Sequence, residues 1–126
     1  MDLNKFASSG LSIHIEKNGK VLFQSKDEML KPLLEAIRKT NMAGATAYDK
    51  IVGRAAILLF SYAKVKEVFA LVASTPAVES AKQLNLPLTV DTLTDNIMNR
   101  TGTDLCPMEK LSQGKAPEEF YDLMRK

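Results

Sequence analysis

The segment from Asn99 to Glu109, Asn-Arg-Thr-Gly-Thr-Asp-Leu-Cys-Pro-Met-Glu, combines residue types and a spacing that chemistry can use. Its cysteine, Cys106, stands directly before Pro107 and is the one cysteine of the sequence. Because proline favours the first position of a helix, we expect Cys106 at the helix N-cap, beside backbone N–H groups that lack partners. A thiol there feels the positive end of the helix dipole, which favours the nucleophilic thiolate. Cys106 is therefore the candidate catalytic residue, and the alternative is a small packed core residue.

The loop ahead of this cysteine has the composition of a ligand-binding segment. It is polar and contains glycine, and Arg100 with neighbouring backbone N–H groups could bind phosphate or carboxylate. The alternative is an ordered surface loop with an internal arginine–aspartate pair. Glu109 could contact a ligand or could cap the following helix. The candidate ligand-binding residues of the segment are Asn99, Arg100, Thr101, Gly102, Thr103 and Glu109.

A second candidate site lies where a long apolar stretch begins. From Ile51 to Tyr62 the residues are apolar on nearly every side of a helix, which predicts a central, buried helix. We expect Asp49 and Lys50 to open this helix, so that Asp49 could hold a ligand hydroxyl or an arginine, while Lys50 or Arg54 contacts an anion. The alternative is a capping aspartate with two solvated or ion-paired cations. Gly53 inside the helix costs ~1 kcal/mol relative to alanine, which a close approach of a ligand or a packed strand would justify.

Alternating apolar residues around Asn18-Gly19 predict a β-hairpin. Two registers compete. A two-residue Asn-Gly turn places Glu16 opposite Val21, whereas a three-residue loop over 17–19 places Ile15 opposite Val21. We prefer the three-residue loop, because it keeps the apolar face continuous and pairs opposite charges beside the turn.

The remaining elements alternate helices with strands. We expect a helix from about Leu30 to Lys39, an interior strand over 68–72, a helix starting at 74–76, an edge strand over 86–90, a short helix over 95–99 and a C-terminal helix over 117–125. Helices between the later strands imply crossover connections. The order therefore predicts a three-layer α/β domain with a mixed β-sheet and helices on both faces. We expect one domain over 1–126, with its core at about 11–111.

Composition limits the classes of function. The 126 residues are 45% hydrophobic and 25% charged, which is typical of one globular domain. A net charge of +2, scattered basic residues and no tryptophan argue against nucleic acid as a partner. A single cysteine is typical of a protein in a reducing compartment. The N-terminal residues lack the apolar core of a signal peptide. The longest uncharged stretch is far short of the ~20 residues that span a bilayer. We expect a cytoplasmic protein without membrane contact, and interpret its six methionines as core gap fillers.

The segments Asp49–Ala56 and Asn99–Glu109 together resemble the motifs of a small, uncharacterised bacterial domain family. That family is grouped by fold with the cytidine deaminase-like proteins, and the likeness extends from about Leu11 to Leu111. The resemblance implies a cytidine deaminase-like fold. It places the apolar helix of 49–62 where a deaminase carries its first zinc ligand. The family has no established reaction, so the resemblance bears on fold more than on function.

The residues at the two motifs depart from those of a zinc deaminase. Such enzymes need a His or Cys, then a Pro-Cys-x-x-Cys pair, with a glutamate as proton shuttle. Here the helix start offers Asp49-Lys50, Cys106 precedes its proline, and His14 lies on the hairpin. One cysteine and one histidine cannot build a His/Cys/Cys site. We therefore expect no zinc-dependent deamination, no metal and no cofactor.

Three classes of function remain open. The first is a pocket for a small polar, nucleotide-like ligand, with or without Cys-dependent catalysis, built from the two motifs. The second is a non-catalytic ligand sensor that uses the same pocket with Cys106 as a structural residue. The third is an oligomeric protein-interaction module. We also expect a homo-oligomer, because an exposed sheet edge on so small a domain is often covered by a second copy.

Overall fold

The structure is a computed structural model, and it describes residues 1–99 and 101–125. These residues form five strands and six helices. The strands are β1 (Ile13–Lys17), β2 (Lys20–Ser25), β3 (Thr46–Val52), β4 (Glu67–Ser74) and β5 (Leu88–Thr94). The helices are α1 (Leu3–Ser9), α2 (Lys31–Lys39), α3 (Arg54–Tyr62), α4 (Thr75–Gln83), α5 (Pro107–Ser112) and α6 (Pro117–Met124). No helix in these two ranges has the length and apolar character needed to cross a lipid bilayer.

The strands form one mixed sheet in the order β2-β1-β3-β4-β5. β1 is antiparallel to β2 and β3, whereas β3, β4 and β5 are parallel. The parallel pairs need crossovers, which α3 and α4 supply, as the alternation of elements predicts. The change from antiparallel to parallel pairing falls at β3. In open α/β sheets, ligands bind beyond the carboxyl ends of the strands, where the strand order changes direction. The carboxyl end of β3 is therefore the expected position of a ligand-binding site.

Helices cover both faces of the sheet. On one face α3 packs against α2, α4, α5 and α6. Its residues from Ala55 to Phe60 are each at most 2% exposed, which confirms the predicted central helix. On the other face α1 brings the buried Phe6 to within 5.9 Å of the Tyr48 ring, measured between ring centroids. The three-layer α/β arrangement with a mixed sheet is thus confirmed, although α1 was not predicted from the sequence.

The prediction that Asp49 and Lys50 open the central helix is wrong. Both residues belong to β3, and α3 begins at Arg54 with Gly53 as its N-cap. Asp49 lies opposite Ile13 of β1 on one side and pairs with β4 on the other. Because β3 forms ladders with both neighbours, tertiary pairing overrides the local helix-capping pattern.

The preferred hairpin register is also wrong. Asn18-Gly19 forms a two-residue turn in which both residues have positive φ, 53° and 78°, the combination that a tight type I′ hairpin requires. Glu16 therefore lies opposite Val21. A β-bulge then shifts the register by one residue and brings Ile15 opposite Phe23. The bulge has no signal in the sequence, and it restores an apolar cross-strand pair despite the two-residue turn.

The segment 95–99 does not form the predicted short helix. Met98 instead makes an isolated antiparallel bridge with Leu105, and the Cys106 N–H donates a hydrogen bond to the Ile97 carbonyl at 3.0 Å. These contacts hold 97–99 in an extended conformation beside the start of α5. The segment therefore becomes a wall of the site described next rather than a helix.

Candidate functional site

A cavity of about 480 Å³ opens at the carboxyl end of β3. Its walls come from β1, the residues that lead into α2, the end of β3, the start of α3, residues 97–99 and residues 106–109. Most of this lining is apolar, with contributions from Met29, Leu30, Ile51, Ile97, Met98 and Met108. The polar side chains in the wall are Ser12, Glu28, Asp49, Lys50, Asn99, Cys106 and Glu109. An apolar cavity with a few polar groups is the usual form of a small-molecule site.

Asp49 contributes a carboxyl group to the cavity wall. Burial raises its pKa to about 8, and hydrogen bonds from the backbone N–H groups of Ile51 and Lys50 oppose this rise only in part. Near neutral pH the carboxyl is therefore mostly protonated, and a protonated carboxyl can both donate and accept a hydrogen bond. Among the described residues, no side chain hydrogen-bonds to it. Asp49 lines the cavity, so a ligand there can add hydrogen bonds to these two backbone contacts.

Glu109 caps α3 although it belongs to α5. Its Oε2 accepts a hydrogen bond from the Arg54 N–H at 2.9 Å and its Oε1 accepts one from the Ala55 N–H at 3.0 Å. The residue is 8% exposed. Burial raises the pKa of this carboxyl, while the two N–H groups and the Arg54 charge act in the opposite direction. Glu109 thus satisfies donors of the first turn of α3 and joins the starts of two helices.

Gly53 makes this contact possible. A Cβ at residue 53 would lie 2.2 Å from Glu109 Oε1 and 2.8 Å from Ile97 Cγ1, closer than atoms can approach. The glycine is therefore required by the close packing of a carboxylate and a neighbouring side chain against the backbone. It lies at the N-cap of α3, outside the helix interior that the sequence suggested.

The guanidinium of Arg54 is used within the fold. Its Nε donates to the Ser112 carbonyl at 3.2 Å and its Nη1 donates to Ser80 Oγ at 2.8 Å. Both serines are buried. The side chain ties α3 to α4 and α5 and is not part of the cavity lining. Lys50, in contrast, is exposed and lies in the cavity wall.

Cys106 is the N-cap of α5 with Pro107 directly after it, as the sequence predicts. It is half-buried and lines the cavity. Within the described part of the chain, its side chain makes no capping hydrogen bond to the helix. The backbone carbonyl of Cys106 accepts a hydrogen bond from the Glu109 N–H at 2.9 Å, which closes the first turn. Cys106 and Asp49 therefore belong to the lining of one cavity.

The polar loop before α5 is built largely from its own hydrogen bonds. Asn99 Oδ1 accepts from the Thr103 N–H at 3.1 Å and from Thr101 Oγ1 at 3.1 Å. Asn99 lines the cavity, whereas Thr101, Gly102 and Thr103 are exposed and do not line it. Arg100, predicted as an anion contact, lies outside the described residues.

Part of the cavity wall was missed from the sequence. Met29 and Met98 are 59% and 45% exposed and line the cavity together with Met108, so the interpretation of all six methionines as core gap fillers is wrong. Met42, at 2% exposed, does fill the core. A regular apolar pattern could not have indicated the wall methionines, because they come from three separate segments of the chain.

The sheet order, the central helix and the cavity between the starts of α3 and α5 define a protein of the cytidine deaminase-like fold. The chain belongs to the TM1506 family, described as a domain of unknown function (DUF1893), whose family model matches residues 2–126. This confirms the resemblance seen in the two motifs. No curated protein matches the sequence.

Solved structures that are similar to this chain include one from the same family and two deaminase-fold proteins. The DUF1893 family protein TM1506 from Thermotoga maritima has a TM-score of 0.88 and 29% identity, over 98% of this chain and 84% of that one. The apo dCMP deaminase from the cyanophage S-TIM5 has a TM-score of 0.53 and 15% identity, over 64% and 79%. RibD from Acinetobacter baumannii has a TM-score of 0.51 and 18% identity, over 90% of this chain and 33% of RibD. The last two show the shared fold alone.

The residues at the site do not fit the zinc ion of the deaminase fold. Within 1–99 and 101–125, no three His, Cys, Asp or Glu side chains are grouped as a metal site. Both carboxylate oxygens of Glu109 are bound to backbone N–H groups. His14 lies on the α1 face of the sheet, hydrogen-bonded to Glu16 at 2.8 Å and Gln24 at 2.9 Å. The donor set is not that of a His/Cys/Cys centre, so these side chains do not form the zinc site of a deaminase.

Proposed function

We propose that this domain binds a small, planar nitrogen heterocycle of the nucleobase type in the cavity beside Asp49. The observation that carries the proposal is a half-buried carboxyl group in the wall of a largely apolar cavity of about 480 Å³, where desolvation raises the pKa of the carboxyl to about 8. Small-molecule sites have volumes of roughly 300–1,000 Å³ and place a few polar groups in an apolar lining. This cavity has the size and composition for one ring system.

The walls suit a flat ring. Three methionines and two isoleucines line the cavity (Met29, Met98, Met108, Ile51 and Ile97). A thioether makes favourable contacts with aromatic rings and adapts its conformation to their shape. An extended, flexible ligand would gain less from these walls, because its ordering would cost more conformational entropy.

Asp49 supplies the specificity in this proposal. A protonated carboxyl offers a hydroxyl donor and a carbonyl acceptor side by side. A ring edge with a nitrogen acceptor next to an amino or N–H donor can satisfy both. A ligand without such an edge would cover the carboxyl and leave its hydroxyl donor without an acceptor, which costs binding free energy of roughly 1–3 kcal/mol.

The cyanophage dCMP deaminase provides a precedent at the level of the fold, since its name describes action on a pyrimidine nucleotide. The present chain lacks the ligand set for zinc, so the proposal is binding without zinc-dependent deamination. Cys-dependent catalysis is a second candidate, favoured by the position of Cys106 in the same cavity wall as Asp49. The two candidate functions, a ligand sensor and a Cys-dependent enzyme, use the same cavity. They differ in whether the bound ligand is chemically converted.

The test is a binding screen with purified protein. Nucleobases and nucleosides are added at pH 6.5, hits are found by thermal shift and their dissociation constants are measured by calorimetry. We expect at least one heterocycle to bind and Asp49→Ala, which removes both the donor and the acceptor, to weaken it. Asp91→Ala, a change at an exposed aspartate of β5, should leave it unchanged. Cys106→Ser retains binding in either candidate function and abolishes turnover only in the catalytic one. Absence of binding across the screen would overturn the proposal.

Two further proposals concern the cellular compartment of the protein and its self-association. We propose a reducing, cytoplasmic compartment on the ground of the single free cysteine. We propose self-association through the edge strand β5, where Leu93 is 61% exposed. Analytical ultracentrifugation of the wild type and Leu93→Lys tests the second proposal, since the variant should be monomeric at concentrations where the wild type associates.

A further inference from the structure

A second cavity, of about 400 Å³, lies between α2 and α6. Met29, Leu30 and Met108 line both cavities, so the two spaces adjoin across a shared apolar wall. We call this second space the α2–α6 groove. A ligand larger than one ring that occupies both spaces has to pass over these three side chains, of which Met29 is 59% exposed.

The α2–α6 groove is basic. Its lining includes Lys31 and Arg38 from α2 and Arg125 from the end of α6. The carboxylate in the same lining, Glu35, forms an ion pair at 2.8 Å with Lys39, which lies outside the groove lining. Three cationic side chains thus face a groove whose one carboxylate, among the described residues, is already paired with a further cation.

Most acidic lining residues belong to the Asp49 cavity, and most basic lining residues belong to the α2–α6 groove. Asp49, Glu109 and Glu28 lie in the first, with Lys50 as its cation, whereas three cations lie in the groove. Arg125 is partly engaged, because its Nε lies 3.2 Å from the Asp122 carboxylate. Arg38 and Lys31 make no ion pair at 4 Å or less with any described residue. An anion is thus disfavoured beside Glu28 and Glu109 and favoured beside Arg38 and Lys31.

We infer that the α2–α6 groove binds the phosphate of a ligand whose ring occupies the Asp49 cavity, so that the natural ligand is of the nucleoside monophosphate class. The inference rests on the proposed function and makes it more specific. The ring lies among the methionines beside Asp49. The phosphate lies beside Arg38, whose planar guanidinium can bind two phosphate oxygens, with Lys31 adding a second positive charge.

The experiment compares each nucleoside with its 5′-monophosphate, by calorimetry at low ionic strength, on the full chain. We expect the monophosphate to bind the wild type about tenfold more tightly, as one charge-assisted contact predicts. Arg38→Gln should remove most of this advantage while the nucleoside affinity stays the same. Lys66→Gln, at an exposed lysine outside both cavities, is the matched control and should retain the advantage.

The outcomes separate this inference from the proposed function. If a nucleoside binds through Asp49 but its monophosphate binds no better, or if Arg38→Gln and Lys66→Gln behave alike, the groove inference is overturned and the heterocycle site stands. If neither member of any pair binds, both are overturned. Thermal denaturation of each variant checks that it is folded, which is expected because Arg38 and Lys66 are exposed.

Discussion

Glu109 accepts a hydrogen bond from the backbone N–H of Arg54 at 2.9 Å, across a separation of 55 residues in the chain. A side chain of one helix thereby caps the start of another. Zinc deaminases hold their metal with residues of two separate motifs, a His or Cys and a Pro-Cys-x-x-Cys pair. This chain joins the two helix starts with a carboxylate and backbone N–H groups instead, and the cavity with Asp49 lies beside that junction.

Replacement of Glu109 by glutamine should destabilise the fold. The Glu109→Gln side chain keeps the shape but turns an NH₂ group toward one of two N–H donors, so one buried donor loses its partner. We expect a loss of about 1–3 kcal/mol in the free energy of unfolding, measured by urea denaturation. Glu118→Gln, at an exposed residue of α6, is the control and should change stability by less than ~0.5 kcal/mol. Equal effects of the two changes would contradict the capping role.

Gly53→Ala should be destabilising because its Cβ would overlap Glu109 Oε1 and Ile97 Cγ1. Overpacking of this kind costs ~1–3 kcal/mol. The double variant Gly53→Ala/Glu109→Ala removes the carboxylate from the overlap. We expect the alanine at 53 to cost less in that background, by ~0.5 kcal/mol or more in a double-mutant cycle of unfolding free energies. Strict additivity would show that the close contact with the Glu109 carboxylate is not the reason for the glycine.

Asp49 should make stability fall as pH rises. Its pKa is about 8 in the folded protein and has the ordinary value of 3.8 when unfolded, so between these values the folded state binds more protons. The free energy of unfolding then decreases with pH, by at most ~1.4 kcal/mol per pH unit for one group. Denaturation curves from pH 5 to 8 should show this slope in the wild type and in Asp91→Asn, and a shallower one in Asp49→Asn. Three parallel profiles would contradict a protonated Asp49.

Cys106 should react with a small alkylating reagent in the native protein. It is half-buried and lines the open cavity, so iodoacetamide can reach it, more slowly than in denaturant. Mass spectrometry follows the reaction directly, because the sequence has no second cysteine. A bound heterocycle should slow the labelling. If labelling occurs only after unfolding, Cys106 is a packing residue and the second candidate function falls.

Patterns that depend on neighbouring residues predicted much of the fold. The apolar run that became α3 and the Pro107 that begins α5 each act through local geometry, so the sequence suffices to find them. β3 was misread because Asp49 and Lys50 resemble a helix cap when taken alone. Their strand conformation comes from hydrogen bonds to β1 and β4, and such pairing between distant segments has no local signal.

In the candidate site, too, the residue types could be predicted from the sequence, whereas contacts between distant segments could not. Asp49, Lys50, Asn99, Cys106 and Glu109 were chosen for their chemistry, and the structure brings all five to one cavity. The sequence could not reveal which helix the Glu109 carboxylate caps, because that contact depends on the packing of α5 against α3. The exposed methionines of the wall were missed for a similar reason, since side chains from three segments meet only in the folded chain.

The central claim, a heterocycle site beside Asp49, is tested most directly by nuclear magnetic resonance. Nitrogen-15-labelled protein is titrated with the nucleoside that stabilises it most. We expect shifts of the backbone N–H signals of Lys50, Gly53 and Asn99, with Thr92 of β5 unchanged, and loss of these shifts in Asp49→Ala. Shifts confined to other parts of the chain, or equal shifts in the wild type and Asp49→Ala, would contradict the heterocycle site.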